Sequence, residues 1–461
     1  MDFLSYLTGD HDSKTPIWIE SINQKTYTIG DLIETVDNLS DHMTSIPQDH
    51  VIAVDTHQNT WESLCCILAI VHTKRVAFPI SKPSQEYLAS YGVAGLCIPQ
   101  KQQSPQITQI SASPIPAPNA QLILKTSGTS GKTCMVMLGE SGIMHNIDGI
   151  LSYLPLMQGT RTGLLTPLHY SYGLIGQCMT AIKAGATIVS LTKGPWIARQ
   201  VEEMKHYEVK MLSAVPSILK SIVQLANHER LPQLHILANA GAPLSTKLVQ
   251  QIYERFPNIT LINQYGMTEA SPRICAGNVS LKSFTTGFVG KPLPNISIHT
   301  RKDASVQSPQ PLYVQTPSAM IGYWQDPLQT QKILTVDGLY TGDLGWIDAN
   351  GNIYVCARED DLINIGAERI SLNSVENLIL SIPDVDSCVA IPIPDTNLDT
   401  SITAFVIAPR IDKNRFQKRL RALFTSVARP KNIYFVSAFP YNINGKIDKK
   451  QLLHMATKER T

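Results

Sequence analysis

The sequence predicts an α/β protein, with a large N-terminal part of stacked β/α sheets, a β-rich subdomain and a smaller α+β part at the C-terminal end. Short apolar and β-branched runs alternate with helical patterns as far as Ile262, and short strands punctuated by glycine and proline follow Thr285. Strands that alternate with helices indicate parallel sheets covered by helices on both faces. A chain of 461 residues is also too long for one ordinary domain.

The first third of the chain predicts alternating helices and strands. In order, the patterns indicate a helix that ends near Met43, a buried strand at 51–54, a helix at 61–72 and a short strand at 76–79. Residues 99–118 are rich in proline, glutamine and serine, which predicts an irregular connector.

The β/α alternation resumes at Leu122. We predict strands at 122–125, 186–191, 210–215, 234–238 and 259–262, and helices at 216–226 and 243–256. The β-rich segment predicts short strands at 287–290, 296–299 and 312–314. The last part predicts helices at 374–382 and 413–426 and strands at 388–391 and 404–407, and no solenoid-type repeat is present in the sequence.

Composition excludes several functional classes. The net charge of +2 gives no electrostatic reason to expect a nucleic acid or an anionic membrane as a partner. The 8 cysteines show neither a C-x-x-C pair nor zinc-ligand spacing, so we interpret them as reduced thiols of a cytoplasmic protein. We see no signal peptide and no apolar stretch near the ~20 residues that a membrane span requires.

The most informative segment is Thr126-Ser-Gly-Thr-Ser-Gly-Lys132, which follows a short apolar strand. Glycines allow close approach of the backbone to a ligand, and successive N–H groups with Ser/Thr hydroxyls bind anions. The segment therefore predicts a polyphosphate-binding loop. It differs from the Walker pattern, since Thr126 stands where that pattern has its first glycine. The alternative is an ordinary Gly/Ser turn.

Four further segments follow along the chain. They are Tyr265-Gly-Met-Thr-Glu269, Tyr340-Thr-Gly-Asp343, Ala357-Arg-Glu-Asp-Asp361 and Asn442-Ile-Asn-Gly-Lys446-Ile-Asp448. With the loop, and in this order, they resemble the adenylate-forming superfamily, which contains acyl- and aryl-CoA synthetases, peptide-synthetase adenylation domains and firefly luciferase. The resemblance extends from about residue 27 to residue 453. It implies an adenylation core at 1–358, with the β-rich subdomain at about 285–358, and a small mobile C-terminal domain at 359–461.

This resemblance implies an AMP-forming acid–thiol ligase that uses ATP and Mg²⁺. In the first half-reaction a carboxylate attacks the α-phosphate of ATP and releases pyrophosphate; in the second a thiol takes the acyl group. Positioning and charge neutralisation carry reactions of this kind. The expected acyl acceptor is coenzyme A, or the phosphopantetheine arm of a carrier protein that acts in trans.

The resemblance also assigns roles to residues of this sequence. Tyr265 would stack on adenine beside Gly266, Thr268 would bond the α-phosphate, Glu269 would hold Mg²⁺, and Lys446 would act as the adenylation lysine. The remaining nucleotide contacts would come from the loop residues Thr126, Ser127, Gly128, Thr129, Ser130, Gly131 and Lys132, from the adenine-lining turn Gly241, Ala242 and Pro243 with Asn263, and from Asp343 and Arg358 at the ribose. Asp360 would be the hinge. Without the resemblance, each motif also fits a turn, a helix start or a hairpin tip.

Substrate residues are predicted from two segments. His169, Tyr170, Tyr172 and Gly173 occupy the segment that gates the acyl pocket in this superfamily, and Gly366, Ala367 and Arg369 would line the thiol tunnel. Relatives that activate amino acids usually carry an aspartate in the acyl segment, and none is present here. Because a buried ammonium group without a partner is costly, we disfavour α-amino acids and expect a fatty, aryl or another carboxylic acid with an uncharged tail.

Two departures from the superfamily pattern leave alternatives open. A lysine and a glycine that usually follow the loop are absent after Lys132, and Ala367 stands where glycine is common. These differences motivate a non-catalytic alternative, in which a degenerate member serves as a binding partner. A carrier-protein ligase is the alternative within the same reaction class, and luciferase-like oxygenation is a third.

Overall fold

The computed structural model describes residues 2–58, 60–101, 104–127, 133–194, 197–365, 368–395, 399–424, 428–440 and 447–458. The chain divides into two compact units. The first consists of Met1–Asp303, Leu312–Thr341 and Trp346–Tyr354, and the second of Ala304–Pro311, Gly342–Gly345 and Val355–Thr461. In the ranges given above, no helix has both the length and the apolar character that a membrane crossing requires.

The helices are α1 (Phe3–Thr8), α2 (Ile29–Met43), α3 (Trp61–His72), α4 (Gln85–Ser90), α5 (Glu140–Leu151), α6 (Ser171–Gly173), α7 (Thr180–Lys183), α8 (Ile197–His206), α9 (Pro216–Leu225), α10 (Thr246–Arg255), α11 (Pro327–Ile333), α12 (Leu372–Leu380), α13 (Lys413–Leu423) and α14 (Lys449–Lys458). A π-helical stretch, Leu174–Met179, joins α6 to α7, and 3-10 turns occur at Thr268–Ala270 and Glu359–Asp361.

The strands are β1 (Pro16–Glu20), β2 (Lys25–Thr28), β3 (Val51–Asp55), β4 (Val76–Ile80), β5 (Gly95–Ile98), β6 (Gln106–Gln109), β7 (Leu122–Ser127), β8 (Thr133–Leu138), β9 (Arg161–Leu164), β10 (Thr187–Ser190), β11 (Met211–Ala214), β12 (Ile236–Asn239), β13 (Thr260–Gly266), β14 (Arg273–Asn278), β15 (Phe288–Pro292), β16 (Ser297–His299), β17 (Gln310–Gln315), β18 (Gly322–Tyr323), β19 (Leu334–Thr335), β20 (Gly338–Ile347), β21 (Ile353–Arg358), β22 (Leu362–Ile365), β23 (Glu368–Ser371), β24 (Ser387–Asp395), β25 (Asp399–Ile407) and β26 (Asn432–Phe435).

One sheet of the first unit has the strand order β18-β8-β7-β4-β3-β5-β6. Its inner strand β3 is buried on both faces. Ile52 and Val54 join a core that includes residues of α2 and α3, whereas Val51 and Ala53 pack into a separate core on the opposite face. Because successive side chains of a strand point to opposite faces, a strand covered on both sides is apolar at every position. This arrangement explains the uninterrupted apolar run of β3.

A second sheet of the first unit follows the order β15-β14-β13-β12-β11-β9-β10-β1-β2. Ile188 of β10 packs into the core that it shares with α3, and its neighbour Val189 packs with α8, α9 and α10. β12 and β13 run parallel with Asn239 opposite Asn263. The carboxyl ends of these two strands therefore lie together at one edge of the sheet, where ligands bind in α/β proteins.

The second unit contains the hairpin β22–β23 and the sheet β24-β25-β26. Val375 and Ile379 of α12 and Phe416 of α13 pack with Ala404 and Val406 of β25 in one apolar core. The unit therefore has a core of its own, made by helices on a short sheet.

The predicted α/β class and most predicted elements are confirmed, with two corrections. The connector predicted at 99–118 contains β6, which pairs antiparallel with β5. The reason is that Ile107 packs against the core, while the glutamines at the two strand ends stay exposed. The helix predicted at 243–256 begins only at Thr246, since the Ser245 side chain accepts a hydrogen bond from the Leu248 N–H and caps the helix.

Candidate active site

The predicted phosphate loop is flanked by a β-hairpin. β7 and β8 are antiparallel neighbours, with Thr126 opposite Cys134 and Ser127 opposite Thr133. The strand predicted before the loop is thus present and extends to Ser127, of which the backbone alone is described. The predicted loop residues Gly128, Thr129, Ser130, Gly131 and Lys132 lie outside the described residues.

A buried pair of amides connects the carboxyl ends of β12 and β13. Asn239 is fully buried, and its Nδ2 donates to Asn263 Oδ1 at 2.7 Å and to the Ala242 carbonyl at 3.2 Å. Asn263 Nδ2 in turn donates to the Phe288 carbonyl at 2.5 Å. Gly241, with a φ of +82°, makes the turn that this network holds.

The structure therefore brings the predicted turn Gly241, Ala242 and Pro243 next to the predicted residue Asn263. Asn239 is the residue that connects them. The sequence does not mark it as a site residue, because an asparagine at the end of a strand gives no sign by itself of how many partners it has.

Thr268 and Glu269 form the 3-10 turn that follows β13. The Thr268 hydroxyl lies 3.1 Å from the hydroxyl of Ser171. Glu269 is buried, and the Tyr323 hydroxyl donates to its Oε1 at 2.7 Å. The turn is therefore fixed to two other elements of the first unit, α6 and β18.

The close approach of two chain segments explains the glycine before this turn. A Cβ atom added to Gly266 would lie 1.9 Å from the Pro272 carbonyl oxygen, so a side chain does not fit there. The half-buried Tyr265 precedes it on β13, opposite Cys275 of β14. Tyr265 and Gly266 thus lead directly into the turn of Thr268.

The predicted acyl-pocket segment leads into α6. His169 Nδ1 lies 3.3 Å from the Thr56 hydroxyl, and its ring centroid is 4.4 Å from that of Tyr170. Burial, reinforced by the charge of Lys193, lowers the pKa of His169 to about 4, so this histidine is neutral at pH 7. Burial raises the pKa of Tyr170 to about 12, which keeps it neutral as well.

The same segment places Tyr172 against a buried arginine. The guanidinium carbon of Arg273 lies 5.1 Å from the Tyr172 ring centroid, and Arg273 is only 3% exposed. Gly173 is required by space, since an added Cβ would lie 2.4 Å from the Pro167 carbonyl oxygen. Sequence reasoning missed Arg273, because a single arginine after a proline carries no local sign of burial.

In the second unit, the structure brings Asp343 and Arg358 together. Asp343 is buried, and its Oδ1 lies 3.5 Å from Arg358 Nη1. The preceding Gly342 has a φ of +72°, and an added Cβ would lie 3.0 Å from Arg358 Nη2. A glycine at this position therefore lets the guanidinium approach the backbone beside the carboxylate.

The other predicted residues of this unit are described only in part. Asp360 lies in the 3-10 turn Glu359–Asp361, and Arg369 pairs with Asn364 in the β22–β23 hairpin, but the side chains of Asp360 and Arg369 are not among those described. Gly366, Ala367 and Lys446 lie outside the described residues.

A magnesium ion could be held here by Glu269. Mg²⁺ usually takes one or two carboxylates together with phosphate oxygens, so it does not need a cage of protein ligands. Consistent with this, the described part of the chain holds no group of three or more His, Cys, Asp or Glu side chains able to bind a metal. Tyr323 orients one oxygen of Glu269, and the other has no partner among the described residues. The residue fits such a role.

Solved structures share the whole fold. The ATP-bound MatB of Rhodopseudomonas palustris superposes with a TM-score of 0.85 at 19% identity, over 99% of both chains. The o-succinylbenzoate CoA synthetase of Bacillus subtilis, in complex with its acyl-adenylate, superposes with a TM-score of 0.83 at 20% identity, over 98% of this chain and 97% of that one. The chain thus has the fold of the adenylate-forming superfamily.

Family models give the same assignment from the sequence. The model of the AMP-binding enzyme matches residues 92–324, and that of the AMP-binding enzyme C-terminal domain matches residues 374–446. The chain therefore belongs to the AMP-binding enzyme family.

Curated relatives match over most of this chain. A probable CoA ligase of Humulus lupulus is 28% identical over 349 residues, which are 73% of this chain and 63% of that protein. The long-chain-fatty-acid–CoA ligase of Escherichia coli O157:H7 is 25% identical over 341 residues, 71% of this chain and 60% of that protein. The match thus spans less than two thirds of the length of these relatives.

Proposed function

We propose that this chain is an ATP-dependent acid–thiol ligase, which adenylates a carboxylic acid other than an α-amino acid and transfers the acyl group to coenzyme A. The observation that carries the proposal is the turn after β13. It joins Thr268 to Ser171 of the predicted acyl segment at 3.1 Å and fixes Glu269 through Tyr323 at 2.7 Å. Relatives named as CoA ligases support the same reaction.

In the first half-reaction, an oxygen of the acid attacks the α-phosphorus and the bond to pyrophosphate breaks. Two anions must approach each other, so the protein has to orient them and offset their charge. Thr268 would donate its hydroxyl to an α-phosphate oxygen, while Ser171 holds that hydroxyl in place. By the superfamily resemblance, Lys446 would supply the positive charge between carboxylate and phosphate.

Magnesium is part of this proposal. When bound at Glu269, the ion would neutralise phosphate charge and fix the phosphate conformation. The contribution of the chain is the orientation of that carboxylate, which the Tyr323 hydroxyl provides from β18.

The superfamily resemblance assigns the adenine and the ribose to different residues. In the first unit, the amide network of Asn239 and Asn263 shapes the turn of Gly241, which would line the adenine. In the second unit, Asp343 would accept hydrogen bonds from the ribose hydroxyls, and Arg358 Nη1 lies 3.5 Å from this carboxylate.

In the second half-reaction, the thiol sulfur attacks the acyl carbon and AMP leaves. The hairpin that carries Arg369 would line the path of the pantetheine arm, and Asp360 would be the hinge between the two half-reactions. A carrier protein that presents its phosphopantetheine in trans is the alternative acceptor. We also propose a cytoplasmic location, which the 8 cysteines without a disulfide support.

The test is acid-dependent exchange of labelled pyrophosphate into ATP, followed by thioester formation with coenzyme A or with a phosphopantetheinylated carrier protein. We expect exchange with at least one member of a broad acid panel, and we expect Glu269→Gln to abolish it. Formation of a thioester with the carrier alone would replace coenzyme A as the acceptor. No exchange with any acid would instead favour the non-catalytic alternative.

A further inference from the structure

We propose that Arg273 binds a second anionic group on the acid, so that the substrate is a dicarboxylic acid or an acid with another anionic group on its tail. The inference rests on the proposed function, because it concerns the acid that the same site would adenylate. It begins from the charge of a buried side chain that none of the roles above uses.

Arg273 is buried without adequate partners. It is 3% exposed, and its Nε and Nη2 atoms are both buried with no hydrogen-bond partner in the described part of the chain. None of the ion pairs found among the described residues includes it. Arginine stays protonated in proteins, and a buried charge without a counter-ion is strongly unfavourable. The position therefore calls for an anion.

Among the described residues, the groups around the guanidinium do not supply this anion. Burial raises the pKa of Tyr172 to about 12 and also raises the pKa of Tyr153, which accepts a hydrogen bond from Gln264. The buried thiol of Cys275 likewise has a raised pKa. All three are neutral at pH 7, and the contact of Arg273 with the Tyr172 ring offsets only a part of the cost of burying the charge.

A neighbouring amide holds the backbone of Arg273 and leaves its guanidinium free of that contact. Asn146 accepts from the Arg273 N–H at 3.0 Å and donates to its carbonyl at 2.8 Å, so both backbone groups are fixed. An added Cβ at Gly176 would lie 3.4 Å from Nη2, so a side chain at this position of the π-helix would contact the guanidinium.

A further donor lies beside the guanidinium. The Tyr153 oxygen accepts a hydrogen bond from Gln264 Nε2 at 2.8 Å, and the charge of Arg273 acts on this phenol. The Tyr153 hydroxyl also carries a proton of its own that it can donate. A guanidinium and a phenol proton form a pair of donors suited to a carboxylate.

The position of Arg273 relative to Thr268 indicates that the anion bound by its guanidinium belongs to the acid substrate. Arg273 of β14 pairs with Gly266 of β13. Gly266 lies two residues before Thr268 in the sequence. Ser171, which contacts Thr268, precedes Tyr172, which stacks on Arg273. One turn of α6 therefore touches both the residue proposed to hold the reacting phosphate and the unpaired cation.

The charge also agrees with the absence of an aspartate in the acyl segment. That absence argues against a cationic tail, and it says nothing against an anionic one. The uncharged tail expected from the sequence is thus replaced, in this proposal, by a tail whose charge is opposite to that of Arg273.

The experiment compares matched acids. α,ω-Dicarboxylates of three to eight carbons and aryl dicarboxylates are each tested beside their monomethyl esters, which keep the size and remove one charge. We expect at least one diacid to support pyrophosphate exchange with a kcat/KM about tenfold or more above its ester. Arg273→Met should remove this preference, and Arg273→Lys should retain part of it, because lysine keeps the charge but not the fork of donors.

The control is Arg75→Met. Arg75 is also buried, but its Nε and Nη1 donate to the carbonyls of Ile46 and Thr73, at 2.5 and 2.7 Å. This variant should leave acid preference unchanged. Equal use of diacids and esters by the unchanged protein, or a preference that survives in Arg273→Met, would overturn the proposal while exchange itself upholds the proposed function.

Binding is measured as well, so that the two proposals can fail separately. Each diacid of the panel is added to both proteins, and we expect at least one to raise the melting temperature of the unchanged protein and not that of Arg273→Met. If no acid supports exchange but this difference in melting temperature is found, the anion site is supported and the proposed ligase activity is refuted. If no diacid gives either exchange or a shift, the anion site is refuted.

Discussion

The Tyr323 hydroxyl donates a hydrogen bond of 2.7 Å to Glu269, and both residues are buried. In the proposed function, this bond orients the carboxylate that would hold Mg²⁺. Tyr323→Phe removes the donor and keeps the ring. Hydrogen bonds to charged groups contribute about 1.5–3 kcal/mol, so we expect kcat/KM for pyrophosphate exchange to fall about tenfold.

The measurement is exchange at a series of magnesium concentrations, where the variant should need more Mg²⁺. Tyr207→Phe is the matched control, because it removes a hydroxyl that donates to the Ser21 carbonyl at 3.2 Å. An unchanged magnesium dependence in Tyr323→Phe would argue against an orienting role for this bond.

Asn239 connects the adenine turn to β13 through two hydrogen bonds from one amide. Asn239→Ala leaves a small cavity and two acceptors without their donor, a loss of about 1–3 kcal/mol. We expect the KM for ATP to rise at least fivefold, with a smaller change in the KM for the acid. Both constants are measured by exchange.

The control for this variant is Asn432→Ala in the second unit, which removes a bond of 3.2 Å to the Thr403 hydroxyl. It should lower stability and leave the KM for ATP unchanged. Equal increases of the two KM values in Asn239→Ala would show that the amide supports the site in general rather than the nucleotide.

The sequence predicted those strands whose own residues carry the pattern, and it missed those that depend on a neighbouring strand. The run of β3 was predicted because burial on both faces makes every residue apolar, and a strand of this kind is visible without its neighbours. The edge strand β6 was missed, since its Gln-Ile-Thr-Gln pattern is polar and only the pairing with β5 makes it a strand.

The candidate site shows the same contrast between local motifs and contacts that are distant in sequence. Thr268 and Glu269 were proposed as site residues because they stand in a short motif that resembles one of the superfamily. Arg273 and Tyr323 were not found, since their importance lies in burial and in partners distant in sequence, namely Tyr172 for Arg273 and Glu269 for Tyr323. Burial of a charged residue is a property of the packed chain and has no counterpart in local spacing.

The two buried arginines predict opposite changes in stability. Arg273 has unpartnered nitrogens, so Arg273→Met removes an uncompensated charge and should raise the melting temperature. Arg75 donates to backbone carbonyls, so Arg75→Met leaves buried acceptors unsatisfied and should lower it. One kcal/mol corresponds to about 2–4 °C in domains of 150–250 residues. Calorimetry of the ligand-free proteins measures both, and a loss of stability in Arg273→Met would mean that its charge is compensated.

Lys446→Ala should separate the half-reactions. By the superfamily resemblance, the lysine offsets charge only while carboxylate and α-phosphate approach each other. We expect pyrophosphate exchange to be lost, and thioester formation from supplied acyl-adenylate to continue at a similar rate. Lys449→Ala is the control, since Lys449 is exposed and lies 3.9 Å from Asp361. Equal loss of both half-reactions in Lys446→Ala would contradict this division.

The second unit should lose stability as the pH rises, because of Glu376. Burial raises the pKa of this carboxyl from its usual value near 4.5 to about 7, while the Ala390 N–H donates to it at 2.8 Å. Between these two values the folded chain binds more protons than the unfolded chain, so the free energy of unfolding falls with rising pH and levels off above about 7.

Glu376→Gln keeps an oxygen that can accept from the Ala390 N–H but cannot ionise. The melting temperature of the variant, relative to that of the unchanged protein, should be higher at pH 8 than at pH 5. Taking the difference between the two proteins at each pH cancels other titrating groups, such as His169, whose lowered pKa has the opposite effect on stability below pH 6.5. A difference that is the same at pH 5 and pH 8 would mean that Glu376 does not titrate in this range and that its carboxyl is ionised in the folded protein throughout.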